Sequence, residues 1–301
     1  MSEPGPQPSA LPGLGWGIFL VLTANLFFAF VDTSTKWLIG AGIVATQLAF
    51  MRYAVHFLIT CGERLARGKL PRPIDASARR LVLLRSFCLV SATLANFTAL
   101  GHLSLSVTSA MLYLAPIFIC LFARPILGEQ INPGHWLAIV VGFLGALVVV
   151  WPFGQPVNWY AVLMLYPAAA MALYQVLTRK LTARVTPATL QFYTGAMGSL
   201  ALLPLALLDW QTPESGLAMA LMLGIGAFAW AGHEALTRAH AYAPASTLAP
   251  YGYSFVVYLM VAGVIVYNDI PAPNVLLGAG LIFVSGTLAW NSARTRHLHR
   301  A

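Results

Sequence analysis

Charged residues are scarce in this sequence. Of its 301 residues only 9% are Asp, Glu, Lys or Arg, whereas 59% are hydrophobic. An ordinary soluble domain has about 25% charged residues, which cover its water-facing surface. So few charges exclude a soluble globular fold and indicate a chain whose surface faces lipid.

Cysteine and N-terminal positive charge are scarce as well. The three cysteines, Cys61, Cys88 and Cys120, all lie in apolar stretches, so they indicate neither a disulfide framework nor a metal site. The first 13 residues contain no Lys or Arg and therefore lack the basic region of a cleaved signal peptide. We expect these residues to form a disordered cytoplasmic tail and the first apolar stretch to be retained.

Long apolar runs, in contrast, are abundant. A helix that crosses about 30 Å of hydrocarbon needs about 20 such residues. Ten runs of this kind lie near residues 14–37, 43–62, 79–101, 105–127, 134–152, 158–179, 187–208, 215–238, 245–267 and 273–292. The alternation typical of a membrane barrel is missing, because the run from Trp136 to Trp151 is apolar on every face. The predicted fold class is an all-α polytopic membrane protein with ten transmembrane helices.

The positions of Lys and Arg predict the orientation. With ten spans, 14 of the 17 basic residues fall on the side that holds the N-terminus, one falls on the opposite side, and two lie within spans. Because positive charge is retained on the cytoplasmic side, we expect both termini to be cytoplasmic in a cell inner membrane. No basic stretch lies on a soluble domain, so no nucleic-acid partner is indicated, and contact with membrane lipids explains the net charge.

The same charge pattern indicates an internal repeat. In the first half the basic loops follow the second and fourth helices, and in the second half they follow the first and third. Two five-helix halves of opposite orientation account for this pattern, and inverted repeats are a recurring plan of transporters. We therefore predict a tail at 1–13, a first repeat at 14–152, a second repeat at 153–292 and a basic cytoplasmic tail at 293–301.

Two predicted spans carry polar stripes. On span 1, Asn25, Asp32 and Lys36 recur at helical spacing, so this face must contact protein or water. An ion pair between Asp32 and Lys36 is one interpretation and a role in gating is another. Span 8 carries a second stripe, which includes Trp230 and His233.

At the end of span 8, Glu234 precedes Arg238 by four residues, which favours a structural pair at the cytoplasmic end. An intramembrane enzyme would need a pair such as His233 with Glu234. Neighbours in a helix point about 100° apart, which argues against joint catalysis.

Two arginines lie within spans. Arg52 is about 15 Å from either end of span 2, beyond the reach of snorkelling, so it needs an internal partner. Asp32 or the C-terminal carbonyls of a neighbouring helix could serve. Arg85 is under two turns from the cytoplasmic end of span 3 and is predicted to snorkel to the interface.

Several segments resemble the drug/metabolite transporter superfamily, specifically its ten-helix EamA type. They are NLFFAFVDTSTK at 25–36, LAFMRYAVHF at 48–57, the run from Thr98 to Pro133, and ALYQVLTRKL at 172–181. The resemblance covers nearly the whole chain and implies a transporter fold. It also implies export of amino acids or similar metabolites.

The inverted repeat places a solute site near mid-membrane between the halves. Tyr113 and Tyr253 occupy equivalent positions in the two halves. The predicted site comprises Asn25, Asp32, Asn96, Tyr113, Tyr174, Trp230, His233 and Tyr253, with Lys36, Arg52, Glu234 and Arg238 in gating or ion pairs.

The sequence therefore predicts a monomeric inner-membrane exporter of amino acids or similar small molecules that works by alternating access without a cofactor. A proton-coupled transporter of drugs or other metabolites is the alternative within the same fold. An intramembrane enzyme or a lipid-handling protein is disfavoured, because no catalytic or cofactor motif lies on a water-facing segment and a lipid-handling role leaves the polar stripes unexplained.

Overall fold

The computed structural model describes residues 14–66, 68, 74–112, 114–128, 133–150, 158–181, 184–242, 251–252 and 254–298, and no strand occurs among them. The described helices are α1 (Leu14–Gly40), α2 (Ala45–Ala66), α3 (Ala76–Leu100), α4 (Leu105–Leu112), α5 (Ala115–Leu127), α6 (Pro133–Val150), α7 (Trp159–Leu163), α8 (Leu165–Leu181), α9 (Pro187–Leu208), α10 (Gly216–Tyr242), α11 (Ser254–Tyr267) and α12 (Pro273–Leu298).

These helices confirm the ten predicted spans. Span 4 consists of α4 and α5, and span 6 consists of α7 and α8. Both breaks come just before a proline, Pro116 or Pro167, which has no N–H to continue the helical ladder of the preceding turn. Pro204, in contrast, lies inside an unbroken α9. Pro250, in predicted span 9, lies outside the described residues.

The polarity of the bundle is reversed relative to a soluble protein. Large apolar side chains such as Leu200 and Ile265, both 74% exposed, cover its surface, while Asp32, Arg85 and His56 are buried. Six stretches of the described chain are long and apolar enough to cross a membrane. The helix α2, which contains Arg52 and Glu63, is not among these six. The protein is therefore a multi-pass membrane protein whose exterior is suited to lipid.

Helix pairing follows a two-fold pattern. The pairs α1 with α10, α2 with α10 and α1 with α11 have counterparts in α8 with α3, α9 with α3 and α8 with α5. Three further pairs join a helix to its own counterpart: α2 with α9, α4 with α11 and α6 with α12. Exchanging the halves maps this pattern onto itself, and an odd number of spans per half inverts the second half.

Glycines allow α6 and α12 to pack closely away from the centre. A Cβ on Gly145 would lie 2.9 Å from the Gly278 carbonyl oxygen, and one on Gly278 would lie 2.7 Å from the Gly145 carbonyl oxygen. The two backbones can approach this far only because neither residue has a side chain. Gly280, another glycine of α12, has nothing within 4 Å of its Cβ position among the described residues.

We call the side of the bundle on which α1 begins the N-terminal face and the other side the opposite face. The α1–α2 turn lies on the opposite face. Its Ile43 N–H donates to the Leu38 carbonyl at 3.0 Å, and Gly42 has a φ of 90°, which favours glycine. The loop between the two helices thus begins one helical turn beyond Lys36.

Candidate solute-binding site

An acidic cluster forms where α1 meets α3. The Asn96 amide Nδ2 donates to both carboxylate oxygens of Asp32, at 3.3 Å each. Both side chains are buried, and Asn96 Oδ1 has no hydrogen-bond partner among the residues that the structure describes. Two long hydrogen bonds leave much of the carboxylate's accepting capacity unused, since a carboxylate can accept about four.

Arg52 lies beside this cluster on α2, seven residues or about 10 Å from the helix end at the opposite face. Its guanidinium carbon is 5.7 Å from the centre of the Phe97 ring and 5.8 Å from that of Tyr53. Its positive charge acts through space on Asp32. Neither predicted partner binds it, because within the described chain Arg52 has no hydrogen bond and no ion pair.

Lys36, rather than Arg52, binds carbonyl oxygens at the C-terminal end of a neighbouring helix. Its ammonium donates to the backbone oxygens of Leu103 at 2.5 Å and Leu100 at 3.4 Å, at the C-terminal end of α3. It also lies 5.5 Å from the centre of the Tyr267 ring, in an open pocket of about 310 Å³ on the opposite face. Of the two interpretations of Lys36, the ion pair with Asp32 is wrong, because the lysine extends toward α3 rather than back along α1.

Arg85 forms the second polar cluster, nearer the N-terminal face. It is 2% exposed, and its guanidinium donates to Thr178 Oγ1 at 2.7 Å, Tyr174 Oη at 2.8 Å and Thr194 Oγ1 at 2.9 Å. The Tyr174 ring also lies 4.3 Å from the guanidinium carbon. The prediction that Arg85 snorkels to the interface is wrong. The orientation of α3 about its axis directs this side chain between α8 and α9.

Two histidines lie between the two clusters. The His56 and His233 ring centres are 6.3 Å apart, and His233 packs edge to face on Phe28 at 5.0 Å and on Tyr174 at 6.4 Å. Both histidines are buried, and in the described part of the chain His56 Nε2 has no hydrogen-bond partner. The centre of the bundle is therefore polar and aromatic, and both halves contribute to it.

Asn25 has a structural position in the same bundle. Its amide donates to Ser254 Oγ at 2.9 Å and to the carbonyls of Tyr251 and Gly252 at 3.2 and 3.3 Å. These groups belong to the turn before α11, so Asn25 satisfies backbone oxygens at the start of the described part of span 9.

The other residues predicted to line the site differ in where they lie. Trp230 is partly buried on α10, three residues before His233. Tyr113 and Tyr253, the symmetric pair of tyrosines, lie outside the described residues. Glu234 accepts from Arg238 at 2.9 Å in an ion pair at the N-terminal face, where Arg238 is 61% exposed.

A comparison with known families decides the class of protein. The profile of the EamA-like transporter family matches the chain twice, over residues 15–151 and 158–290. The chain belongs to the EamA-like transporter family. The two matches correspond to the two sets of five spans, and membership identifies the chain as a transporter rather than an enzyme.

Similar proteins transport several solutes. This EamA-like transporter is 26% identical to a riboflavin transporter of Vibrio cholerae, covering 93% of this chain and 95% of that protein. It is 28% identical to a pseudopaline exporter of Pseudomonas aeruginosa (89% and 94% covered) and 23% identical to an S-adenosylmethionine uptake transporter of Rickettsia prowazekii (92% of each). A crystal structure with 18% identity matches with a TM-score of 0.61 over 93% of this chain and 97% of the other, which shows a shared fold alone.

Sequence reasoning missed several central residues of this EamA-like transporter. His56 follows Arg52 by four residues, so helical spacing alone places it on the same face of α2. Tyr53 lies about 100° around α2 from Arg52, and its hydroxyl bonds Thr93 Oγ1 at 2.7 Å and the Leu89 carbonyl at 3.0 Å. Only the pairing of α2 with α3 reveals that contact.

Proposed function

We propose that this EamA-like transporter exports amino acids or similar small metabolites across the cell inner membrane by alternating access. The observation that carries the proposal is the juxtaposition of Asp32 and Arg52 inside a lipid-facing bundle. Charges at membrane depth are costly unless they are paired or serve a function. Here a carboxylate and a guanidinium interact through space, and no ion pair joins them within the described chain, which suits a solute that carries charges of its own.

The relatives support a small organic solute but leave its identity open. Riboflavin, pseudopaline and S-adenosylmethionine are chemically different, and the named proteins include both an exporter and an uptake transporter. Differences of this kind within one fold indicate that the solute is chosen by the central side chains. The solute proposed for this chain is therefore inferred from its central residues.

Contacts between the halves suit alternating access. Near the N-terminal face, Arg85 of the first half binds Tyr174 and Thr194 of the second half. On the opposite face, Gln47 and Gln211 exchange two hydrogen bonds of 2.8 Å, from Gln47 Nε2 to the Gln211 carbonyl and from the Gln211 N–H to Gln47 Oε1. Opening either face requires the bonds of that face to break while those of the other remain.

Export requires a defined orientation. The 14 basic residues on the side of the N-terminus favour cytoplasmic termini. The pair of Glu234 with Arg238 would then lie at the cytoplasmic surface. Lys36 and its open pocket would face the outside, at the exit of the transport path.

Counterflow in proteoliposomes tests this function. Liposomes that contain purified protein and an unlabelled amino acid should accumulate the same labelled amino acid from outside, and liposomes without protein should not. A panel that includes amino acids, riboflavin and S-adenosylmethionine identifies the solute class. Repeating the assay with and without an imposed pH gradient separates proton-coupled transport from exchange alone.

Asp32→Asn should lower counterflow at least about tenfold while the protein remains folded, because the change removes a buried charge but keeps nearly the same shape. Asp209→Asn is the matched control, since Asp209 is exposed in the loop after α9. Counterflow of none of the panel solutes by the wild-type protein would contradict the proposed function. A loss of activity that only follows a loss of thermal stability would show that Asp32 is structural.

A further inference from the structure

We infer that Arg52 and Asp32 form a two-pole site for a zwitterionic α-amino acid, in which Arg52 binds the carboxylate and Asp32 with Asn96 binds the ammonium group. This inference rests on the proposed function and names the chemical groups that the site recognises.

The positive pole is an arginine with unused donors. A guanidinium has five N–H donors in a planar fork that matches a carboxylate. Lys36 and Arg85, the other two cations at membrane depth in α1 and α3, donate to carbonyl or hydroxyl oxygens. Arg52 has no hydrogen-bond partner within the described chain. Its donors are therefore available to an anion.

The aromatic rings hold this pole in place without using its donors. Phe97 is completely buried and Tyr53 is 2% exposed, so neither ring can move away easily. Each ring centre lies within about 6 Å of the guanidinium carbon, a distance at which a cation is attracted to an aromatic face. Because the attraction to the rings leaves the N–H groups unpaired, the fork is positioned before a solute arrives.

The negative pole has unused acceptors. Within the described residues, Asp32 accepts only the two 3.3 Å bonds from Asn96, and Asn96 Oδ1 is buried without a partner. An ammonium group has three donors and no acceptor, which matches three oxygens that share one corner of the site. Lys36, the cation nearest in sequence, is bound to the carbonyls at the C-terminal end of α3 and does not occupy this pole.

The two poles do not satisfy each other. Arg52 acts on Asp32 through space, yet no ion pair joins them within the described residues. Unused donors beside unused acceptors are complementary to a ligand that carries both an anionic and a cationic group close together. An α-amino acid carries its carboxylate and its ammonium group on one carbon, and its side chain could extend toward the aromatic centre near Phe28 and His233.

Competition binding tests the inference on the wild-type protein in detergent. Bound radiolabelled leucine is displaced with unlabelled leucine, with isopentylamine, which lacks the carboxylate, or with 4-methylpentanoate, which lacks the amino group. Loss of a charge-assisted pair should weaken binding roughly 10- to 100-fold, so both analogues should compete that much less well than leucine. Equal competition by either analogue would overturn the assignment of the corresponding pole.

Variants connect each pole to its residue. Arg52→Gln should remove the preference for leucine over isopentylamine, and Asp32→Asn should remove the preference for leucine over 4-methylpentanoate. Arg52→Lys keeps the charge but loses the fork, so part of the preference should remain. Arg79→Gln, at an exposed arginine near the start of α3, should leave both preferences unchanged.

The outcomes separate the inference from the proposed function. Transport of panel solutes that lack a carboxylate or an amino group, with no binding of leucine or other amino acids, would refute the two-pole site and leave a transporter of other metabolites. If Arg52→Gln weakens the binding of leucine, isopentylamine and 4-methylpentanoate by the same factor, Arg52 acts in gating. The assignment of Arg52 as the carboxylate-binding pole is then wrong. A folded wild-type protein that transports no small solute would refute the proposed function itself.

Discussion

The buried Arg85 cluster provides the most direct test of the packing between the halves. Tyr174→Phe removes one hydroxyl and leaves the ring over the guanidinium. Arg85 then loses the 2.8 Å bond from one terminal nitrogen, in a site where the arginine is only 2% exposed. Loss of a hydrogen bond to a buried charged group costs about 1.5 to 3 kcal/mol.

This cost should appear as a lower melting temperature. For a chain somewhat smaller than this one, 1 kcal/mol corresponds to about 2 to 4 °C, so Tyr174→Phe should melt about 3 to 12 °C below the wild type. Unfolding in detergent can be followed with a maleimide dye that becomes fluorescent on reaction with newly exposed thiols. Cys88, which is buried one turn along α3 from Arg85, is a suitable reporter.

A matched control lies on the same helix. Tyr166 also makes a hydroxyl bond, to Ser91 Oγ at 2.7 Å, but it is 43% exposed. Tyr166→Phe should therefore shift the melting temperature by less than about 2 °C, since exposed substitutions usually stay within about 0.5 kcal/mol. Equal shifts for the two tyrosine variants, or no shift for Tyr174→Phe, would refute the reasoning.

A double-mutant cycle identifies the partner. In an Arg85→Met background the hydroxyl of Tyr174 has no cation to bind, so Tyr174→Phe should cost less than about 0.5 kcal/mol. A cost that is the same in both backgrounds would show that the hydroxyl acts through some other contact.

Two further predictions concern packing and orientation. Gly145→Ala should lower the melting temperature and the yield, because the new methyl group would lie 2.9 Å from a carbonyl oxygen of α12. Gly280→Ala should lower neither, because nothing in the described chain lies within 4 Å of that position. Equal behaviour of the two variants would contradict the close packing of α6 on α12. In a cysteine-free background, cysteines introduced at Asp75 and Glu214 should react with impermeant reagents from the cytoplasmic and outer sides respectively, and labelling of both from one side would contradict the ten-span topology.

Spans were predictable from the sequence because membrane thickness sets their length and lipid requires an apolar surface. The polar stripe on α1 was predictable for the same reason, since Asp32 cannot face lipid. The Asp32–Asn96 contact was not, because it depends on which helices pair, and that information lies in side chains far apart in sequence. The family profile added what composition could not, namely the class of protein.

Side-chain direction accounts for the wrong interpretations of Lys36 and Arg85. The Lys36 ammonium extends to carbonyls at the C-terminal end of α3 rather than back along α1 to Asp32. Arg85 lies close enough to the interface to reach water, yet the rotation of α3 directs it inward. Rotation about a helix axis is set by neighbouring helices, so a stripe on one isolated span does not determine it.

The two-fold pairing of the helices has a consequence for biogenesis. For every helix from α1 to α6, the most extensive packing partner among the described helices belongs to the second half of the chain. During translation the first five spans therefore enter the bilayer before the surfaces that bury their polar groups exist. Asp32, Arg52 and Arg85 must be tolerated there until the later spans arrive, which makes the completed chain resemble a covalently linked dimer more than two domains in series.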